Sequence, residues 1–289
     1  MQSLWMIAAS LLFACMGVCV KLGSVQFSAA ELVFYRGLVA LPFLYAYVRI
    51  AGLSLATPYW RIHVWRGLAG FFSIVLYFQA IAMIPLAMAV TLNYTSPLFL
   101  AAILVYWQRE RISARLLLAL AAGFLGVVFL LQPSWHSEQM AGDLLALVSA
   151  VTASFAYLNV RKLGELGEPE WRTVFYFSLI ATLGGLPWIL VGNWNDQPLH
   201  AIDGRGWLLL LGVGGFGSLA QLCMTRAYKN GKTMVSASLT YSTVVFASLF
   251  GIWLWDERLP LVAQLGVALI LISGILATAY SRAAPAEQD

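Results

Sequence analysis

Residues 80–111 read AIAMIPLAMAVTLNYTSPLFLAAILVYWQRER, an apolar run long enough to cross a bilayer that carries a polar knot, Thr91-Leu92-Asn93-Tyr94-Thr95-Ser96-Pro97. At 1.5 Å of helix rise per residue the knot falls about 8–16 Å inside the hydrocarbon. Sliding the chain by 147 residues, without a gap, lays Ala80, Leu92, Tyr94, Phe99, Glu110 and Arg111 on Ala227, Leu239, Tyr241, Phe246, Glu257 and Arg258. The chain is therefore two copies of one unit, 1–133 and 142–282. The second copy keeps a knot of its own in Ser236, Ser238, Thr240, Tyr241, Ser242 and Thr243, with Val244 where the first copy has Pro97.

Composition sets the class. With 61% hydrophobic and 10% charged residues and a mean hydropathy of +0.81, a soluble domain would be left with apolar surface it could not hide, and a bilayer covers such surface. The net charge of +4 is spread over loops rather than gathered into a nucleic-acid patch, so the expected partners are lipid and a small-molecule substrate, with no nucleic acid. Cys15, Cys19 and Cys223 sit inside apolar runs without metal-site spacing, and His63, His136 and His200 fall in separate loops, so neither a metal nor a cofactor is expected. The first apolar run lacks a basic flank and a small-residue cleavage site, and is read as a retained helix.

Hydropathy and breaks give an all-α membrane protein of ten spans: 3–20, 32–48, 65–83, 86–106, 116–131, 143–160, 173–192, 207–228, 234–253 and 261–280. Cytoplasmic loops retain Lys and Arg. With the N-terminus inside, the inner segments hold Arg49, Arg61, Arg66, Arg109, Arg111, Arg115, Arg161, Lys162, Arg172, Arg226, Lys229, Lys232 and Arg282. The outer loops hold only Lys21, Arg205 and Arg258, and both termini are expected in the cytoplasm of a cell whose inner membrane the chain crosses. Five spans per copy is an odd number, so the second copy runs upside down relative to the first. Related loops then lie on opposite faces: cation-free 81–85 corresponds to 228–232, which carries Lys229 and Lys232. Inverted repeats of this kind build alternating-access carriers, with the substrate near the midplane.

The pattern Arg66-Gly67-Leu68-Ala69-Gly70, Ala80, Pro85-Leu86-Ala87, Asn93 to Phe99, Glu110-Arg111, Gly123 and Gly126 resembles the EamA repeat of the drug/metabolite transporter superfamily. Ala227-Tyr228, the knot around Tyr241, Glu257-Arg258, Gly266 and Gly274 resemble its second copy. The resemblance covers residues 3–280. It implies a carrier for amino acids, nucleotide sugars, vitamins, S-adenosylmethionine or exported metabolites, with a central cavity from spans 1–4 and 6–9 and spans 5 and 10 at the periphery.

Arg36 is the one cation well inside a span. A central arginine costs at least about 2.5–3.5 kcal/mol unless it finds a partner or water, so it points to a cavity where its guanidinium binds a carboxylate or phosphate; snorkelling, or pairing with Glu31, is the other reading. Asn93, Tyr94 and Tyr241 in the knots, with Gln79, Tyr157 and Gln221 at depth, complete the candidate substrate-binding set. Gly212-Val213-Gly214-Gly215-Phe216-Gly217 fits a dinucleotide-binding string, but inside an apolar span its glycines are read as helix packing. The spans offer no catalytic carboxylate, histidine site or activated nucleophile, so no enzyme is expected. Glu31, Glu110, Asp256 and Glu257 all fall at span ends, which leaves no evident proton carrier. The expected function is secondary transport of a small carboxylated or zwitterionic metabolite, an amino acid or a derivative of one, by an exporter. An uptake carrier or exchanger for a vitamin or S-adenosylmethionine-like compound is the alternative, and a passive channel the alternative of a different class.

Overall fold

A computed structural model describes residues 2–84, 86–133, 140–192, 202–256 and 260–283. Glu257, Arg258, His136 and His200, which entered the sequence reading, lie outside the described residues, as does Pro85. After a 3-10 turn at Gln2–Leu4 come α1 (Trp5–Gly23), α2 (Ala29–Ile50), α3 (Trp60–Met83), α4 (Leu86–Asn93), α5 (Ser96–Tyr106) and α6 (Ala114–Leu131). The second half holds α7 (Met140–Glu165), α8 (Glu170–Gly192), α9 (Gly204–Asn230), α10 (Thr233–Leu239), α11 (Ser242–Trp255) and α12 (Leu261–Ala283). The pairs α4/α5 and α10/α11 each make one interrupted span, which gives ten. Eight of the ten are long and apolar enough to cross a membrane, and α3 and α8, at 24 and 23 residues, supply the others. Large apolar side chains such as Phe43, Leu118, Leu208 and Ile275 cover the outside of the bundle, as lipid contact requires.

The packing follows the repeat. Helix α3 lies along α7 just as α9, its counterpart, lies along α1; α2 lies on α8, α6 on α12, and α2 meets α9 as α8 meets α3. Each half therefore completes the other, and spans 5 and 10 pack as a separate pair. At their crossing the backbones touch: a Cβ on Gly126 would meet the carbonyl oxygen of Gly266 at 2.8 Å, and one on Gly266 would meet that of Gly126 at 2.6 Å. Ser273 reinforces the contact by donating to Ala119 O (2.6 Å) and sharing a hydrogen bond with Ser238 (3.0 Å).

Both interrupted spans break at the knots. In the first, Thr95 N–H turns back to Leu92 O (3.1 Å), its hydroxyl donates to the same carbonyl (2.5 Å), and Pro97 opens α5, where its missing N–H costs nothing. The second breaks at Thr240 and Tyr241 without a proline. Tyr241 N–H donates to Ser238 O (3.3 Å), Val244 N–H to Tyr241 O (3.1 Å), and the Thr240 hydroxyl to Ser236 O (3.1 Å). Three-residue turns and hydroxyls competing for carbonyls are common to both, so the proline accommodates the break and the serines and threonines make it.

Several helices extend beyond the apolar runs read from the sequence. Helix α3 begins at Trp60 rather than near Trp65, so Arg61 and Arg66 are helical. Arg66, counted above among the loop cations, is only 3% exposed and belongs to the interior of the bundle. Without it the side expected to be cytoplasmic still holds twelve cations against three. Glu110, from the first copy's Glu-Arg pair, binds Arg161 at 2.7 Å and ties the segment after α5 to α7.

Gly126→Ala should force α6 and α12 apart, because the obstructing atoms are backbone. Overpacking of this kind costs roughly 1–3 kcal/mol, and a clear fall in the thermal midpoint of the purified protein is the expected outcome.

Candidate functional site

Close to the middle of the helices, α2, α3, α8 and α9 surround a narrow cavity. Its lining includes Arg36 and Gly37 of α2, Ile74 of α3, Phe177 and Ser178 of α8, and Gly217, Ser218 and Gln221 of α9. Three of these lie on the second half's α9, which carries a run of glycines that fit against neighbours: Gly212 faces Cys19, Gly214 faces Val39, and Gly217 faces Met16 and Arg36. A Cβ at Gly217 would stand 3.1 Å from Arg36 Nε, so the glycine makes room for the guanidinium.

Arg36 is half-buried and opens on the cavity, with its Cζ 5.8 Å from the centre of the Phe177 ring. Glu31 does not neutralise it. That carboxylate accepts from Ser28 N–H at 2.7 Å while Ser28 Oγ accepts from Glu31 N–H at 3.3 Å, a capping box at the start of α2. Among the described residues no carboxylate pairs with Arg36. Gln221 is 7% exposed, and its Oε1 is buried with no hydrogen-bond donor, so an unpaired acceptor shares the cavity with the unpaired donor.

The other candidates surround this centre without lining it. Tyr157 of α7 stacks its ring on Tyr228 of α9 at 5.1 Å. Tyr94 and Tyr241, equivalent in the two copies, approach to 6.3 Å between centroids, and Tyr241 is fully buried with an unpaired hydroxyl. Asn93 donates to Ser149 Oγ at 2.8 Å, and Ser149 in turn donates to Ala146 O at 2.7 Å. Gln79 is exposed on α3. Among the described residues the broken spans contribute none to the cavity wall: their knots are occupied by bonds that hold helices together, including Ser154 Oγ to Ser96 O (2.8 Å) and Ser236 Oγ to Ala227 O (2.9 Å). Phe177 and Ser178, which line the cavity, and Arg66, which lies against the Phe177 ring, were not among the expected site residues. Arg66 carried a signal, because Gly70, one helical turn on, matches Gly217 at the 147-residue offset.

The cavity wall is fastened at the start of α8. Glu168, in the loop before it, meets His63 Nε2 at 2.9 Å, accepts from Thr57 Oγ1 at 2.8 Å and takes two bonds from Arg172 Nη1 at 3.0 Å. Arg172 also donates to Ser54 O at 2.7 Å, and Tyr176 stacks on His63 at 4.7 Å. One half of the chain is thus latched to the other. Burial opposes ionisation of Glu168, but the hydrogen bonds from His63, Thr57 and Arg172, with the Arg172 charge, outweigh it and hold the carboxyl below its ordinary range.

A family model described as the EamA-like transporter family matches residues 1–132 and again 140–279. The chain belongs to this family. It is a multi-pass membrane protein and a secondary transporter, not an enzyme. It is 32% identical over 269 residues to the pseudopaline exporter CntI of Pseudomonas aeruginosa, with 93% of each chain covered. It is 27% identical to a riboflavin transporter of Vibrio cholerae (94% of this chain, 90% of the other). An S-adenosylmethionine uptake transporter of Rickettsia bellii is 25% identical (86% and 81%). A crystal structure at 22% identity superposes with a TM-score of 0.81 over 96% of this chain and 98% of the other, which supports the fold.

Because the Glu168 carboxyl is depressed in the folded state, the stability it contributes is fully present above the unfolded value of about 4.3 and is lost as pH falls through the folded value below it. Acid should lower the thermal midpoint of the wild type more than that of Glu168→Gln. At neutral pH the variant should be destabilised by about 3 kcal/mol, since Arg172 is left without its partner.

Proposed function

We propose that this carrier moves a small metabolite with at least one carboxylate, an amino acid or amino-acid derivative, across the inner membrane by alternating access, in the direction of export. The observation that carries this reading is Arg36: a guanidinium near the middle of the bundle, open to a cavity and without a described counter-charge. Such a charge is costly in hydrocarbon and gains most from an anionic ligand that it can hold through a planar fork. The unpaired Gln221 Oε1 beside it suits an ammonium or amide donor on the same cargo. Purely apolar cations satisfy neither group. Tyr157, Tyr94 and Tyr241 form a second tier behind the cavity, and Asn93 and Gln79 act in states in which the halves have moved apart. Export is supported by the relative named as an exporter, which aligns over nearly the whole chain. The excess of cations on one side supports cytoplasmic termini and the inverted repeat at 1–133 and 142–282.

Arg36→Gln should reduce flux of the carried metabolite by about ten- to a hundredfold, the worth of a charge-assisted hydrogen bond, at matched protein level. Arg36→Lys should recover part of it, because the ammonium keeps the charge and loses the fork. Normal flux in Arg36→Gln vesicles would remove the basis for a carboxylated cargo. For topology, a C-terminal reporter that is active only in the cytoplasm should be active, and activity of a periplasm-only reporter would reverse the orientation.

A further inference from the structure

Arg66 is a second guanidinium inside the bundle, and no described acceptor satisfies it. The residue is 3% exposed, its Nε and Nη1 are buried without a hydrogen-bond partner, and its Cζ lies 4.4 Å from the centre of the Phe177 ring, the same ring that Arg36 approaches at 5.8 Å. Stacking on an aromatic face offsets part of the cost of burying the charge but gives the N–H groups nothing to donate to.

Each guanidinium lies against a glycine. A Cβ at Gly70 would stand 2.5 Å from Arg66 Nη1, as one at Gly217 would stand 3.1 Å from Arg36 Nε, and Gly70 and Gly217 are equivalent positions of the two copies. They also enter from opposite ends. Arg36 lies in the second turn of α2 and Arg66 in the second turn of α3, and α2 finishes at the end of the bundle where α3 begins. The described carboxylates pair elsewhere or with neither arginine: Glu168 with His63 and Arg172, Glu110 and Glu165 with Arg161, Glu31 and Asp203 in helix caps. Two like charges thus share one aromatic ring in the low-dielectric core. A ligand with one acidic group neutralises one of them; a ligand with two neutralises both.

We infer that Arg66 and Arg36 are paired anion subsites around Phe177, and that the cargo is a small organic anion with two carboxylates several bonds apart. This rests on the reading of Arg36 as a cargo ligand and narrows it, since a simple monocarboxylic amino acid fills only half the site.

The test uses glutarate, its monomethyl ester and its dimethyl ester, which offer two, one and no carboxylates on one carbon frame. Affinities are read from the ligand-induced rise in thermal midpoint of the full-length purified protein. The wild type should bind glutarate about tenfold more tightly than the monoester. The diester should give no shift. In Arg66→Gln the glutarate affinity should fall to that of the monoester, and the monoester affinity should keep its wild-type value. Arg36→Gln should lose the monoester. Should the Gln variant fail to fold, Arg66→Met takes its place, because an apolar side chain of similar length is tolerated where an unpaired charge was buried. A wild type without preference for the diacid, including one that binds no diacid, overturns the paired site, as does an Arg66 variant that keeps the preference. Monoester binding that persists in Arg36→Gln instead overturns the underlying reading of Arg36.

Discussion

Hydrocarbon offers no hydrogen-bond partner, and that single constraint shapes every level of this protein. It forces the backbone into helices, and it permits an interruption only where other helices or side-chain hydroxyls take up the freed groups. The breaks in α4/α5 and α10/α11 obey it: each is closed by three-residue turns and by threonine hydroxyls bonded to carbonyls of its own chain. The same constraint makes an unpaired guanidinium informative. A surface arginine without a partner means little, but Arg36 and Arg66 lie inside an apolar bundle where no described carboxylate meets them.

The interlocked halves give these side chains a fixed place. With α3 on α7 and α9 on α1, each repeat supplies a wall for the other, and the cavity forms where α2, α3, α8 and α9 meet. Wall positions come from both copies, so relative movement of the halves would change the distance from Arg36 on α2 to Phe177 on α8. The latch around Glu168 joins residues 54–63 of the first copy to the start of α8 in the second. It lies at one end of the cavity wall, and any opening there has to break or carry along those bonds. The equivalent of Glu168 in the first copy is Lys21, so among the described residues the same latch is not repeated at the other end.

Much of the architecture was legible because it is written in patterns that few other structures produce. A 147-residue repeat, an odd number of spans per copy and cations concentrated on one side lead to two five-span units. Arg36 and Gln221 could be picked out because polar groups at depth stand out in an apolar helix. Arg66 was passed over because, as the second residue of the span read as 65–83, it counted as a loop cation at the membrane face, whereas α3 continues five residues further towards its N-terminus with the arginine folded inside. The break at Thr240 was hidden for a related reason: Val244 removes the proline that signals a break, although the serines and threonines beside it produce one. Asn93 looked like a cavity ligand because the sequence shows its polarity but not Ser149, the partner brought to it from α7.

Transport past Arg36 requires a water-accessible pathway between α2, α3, α8 and α9. That pathway is tested most directly by placing a single cysteine at Ser218, beside Arg36 in the cavity, in a background free of Cys15, Cys19 and Cys223, and measuring its reaction with a membrane-impermeant thiol reagent in vesicles of both orientations. The Ser218 cysteine should be modified, and a cysteine at lipid-facing Leu208 should remain inert. A Ser218 cysteine that stays unreactive from both sides, in protein shown to transport, would contradict such a pathway.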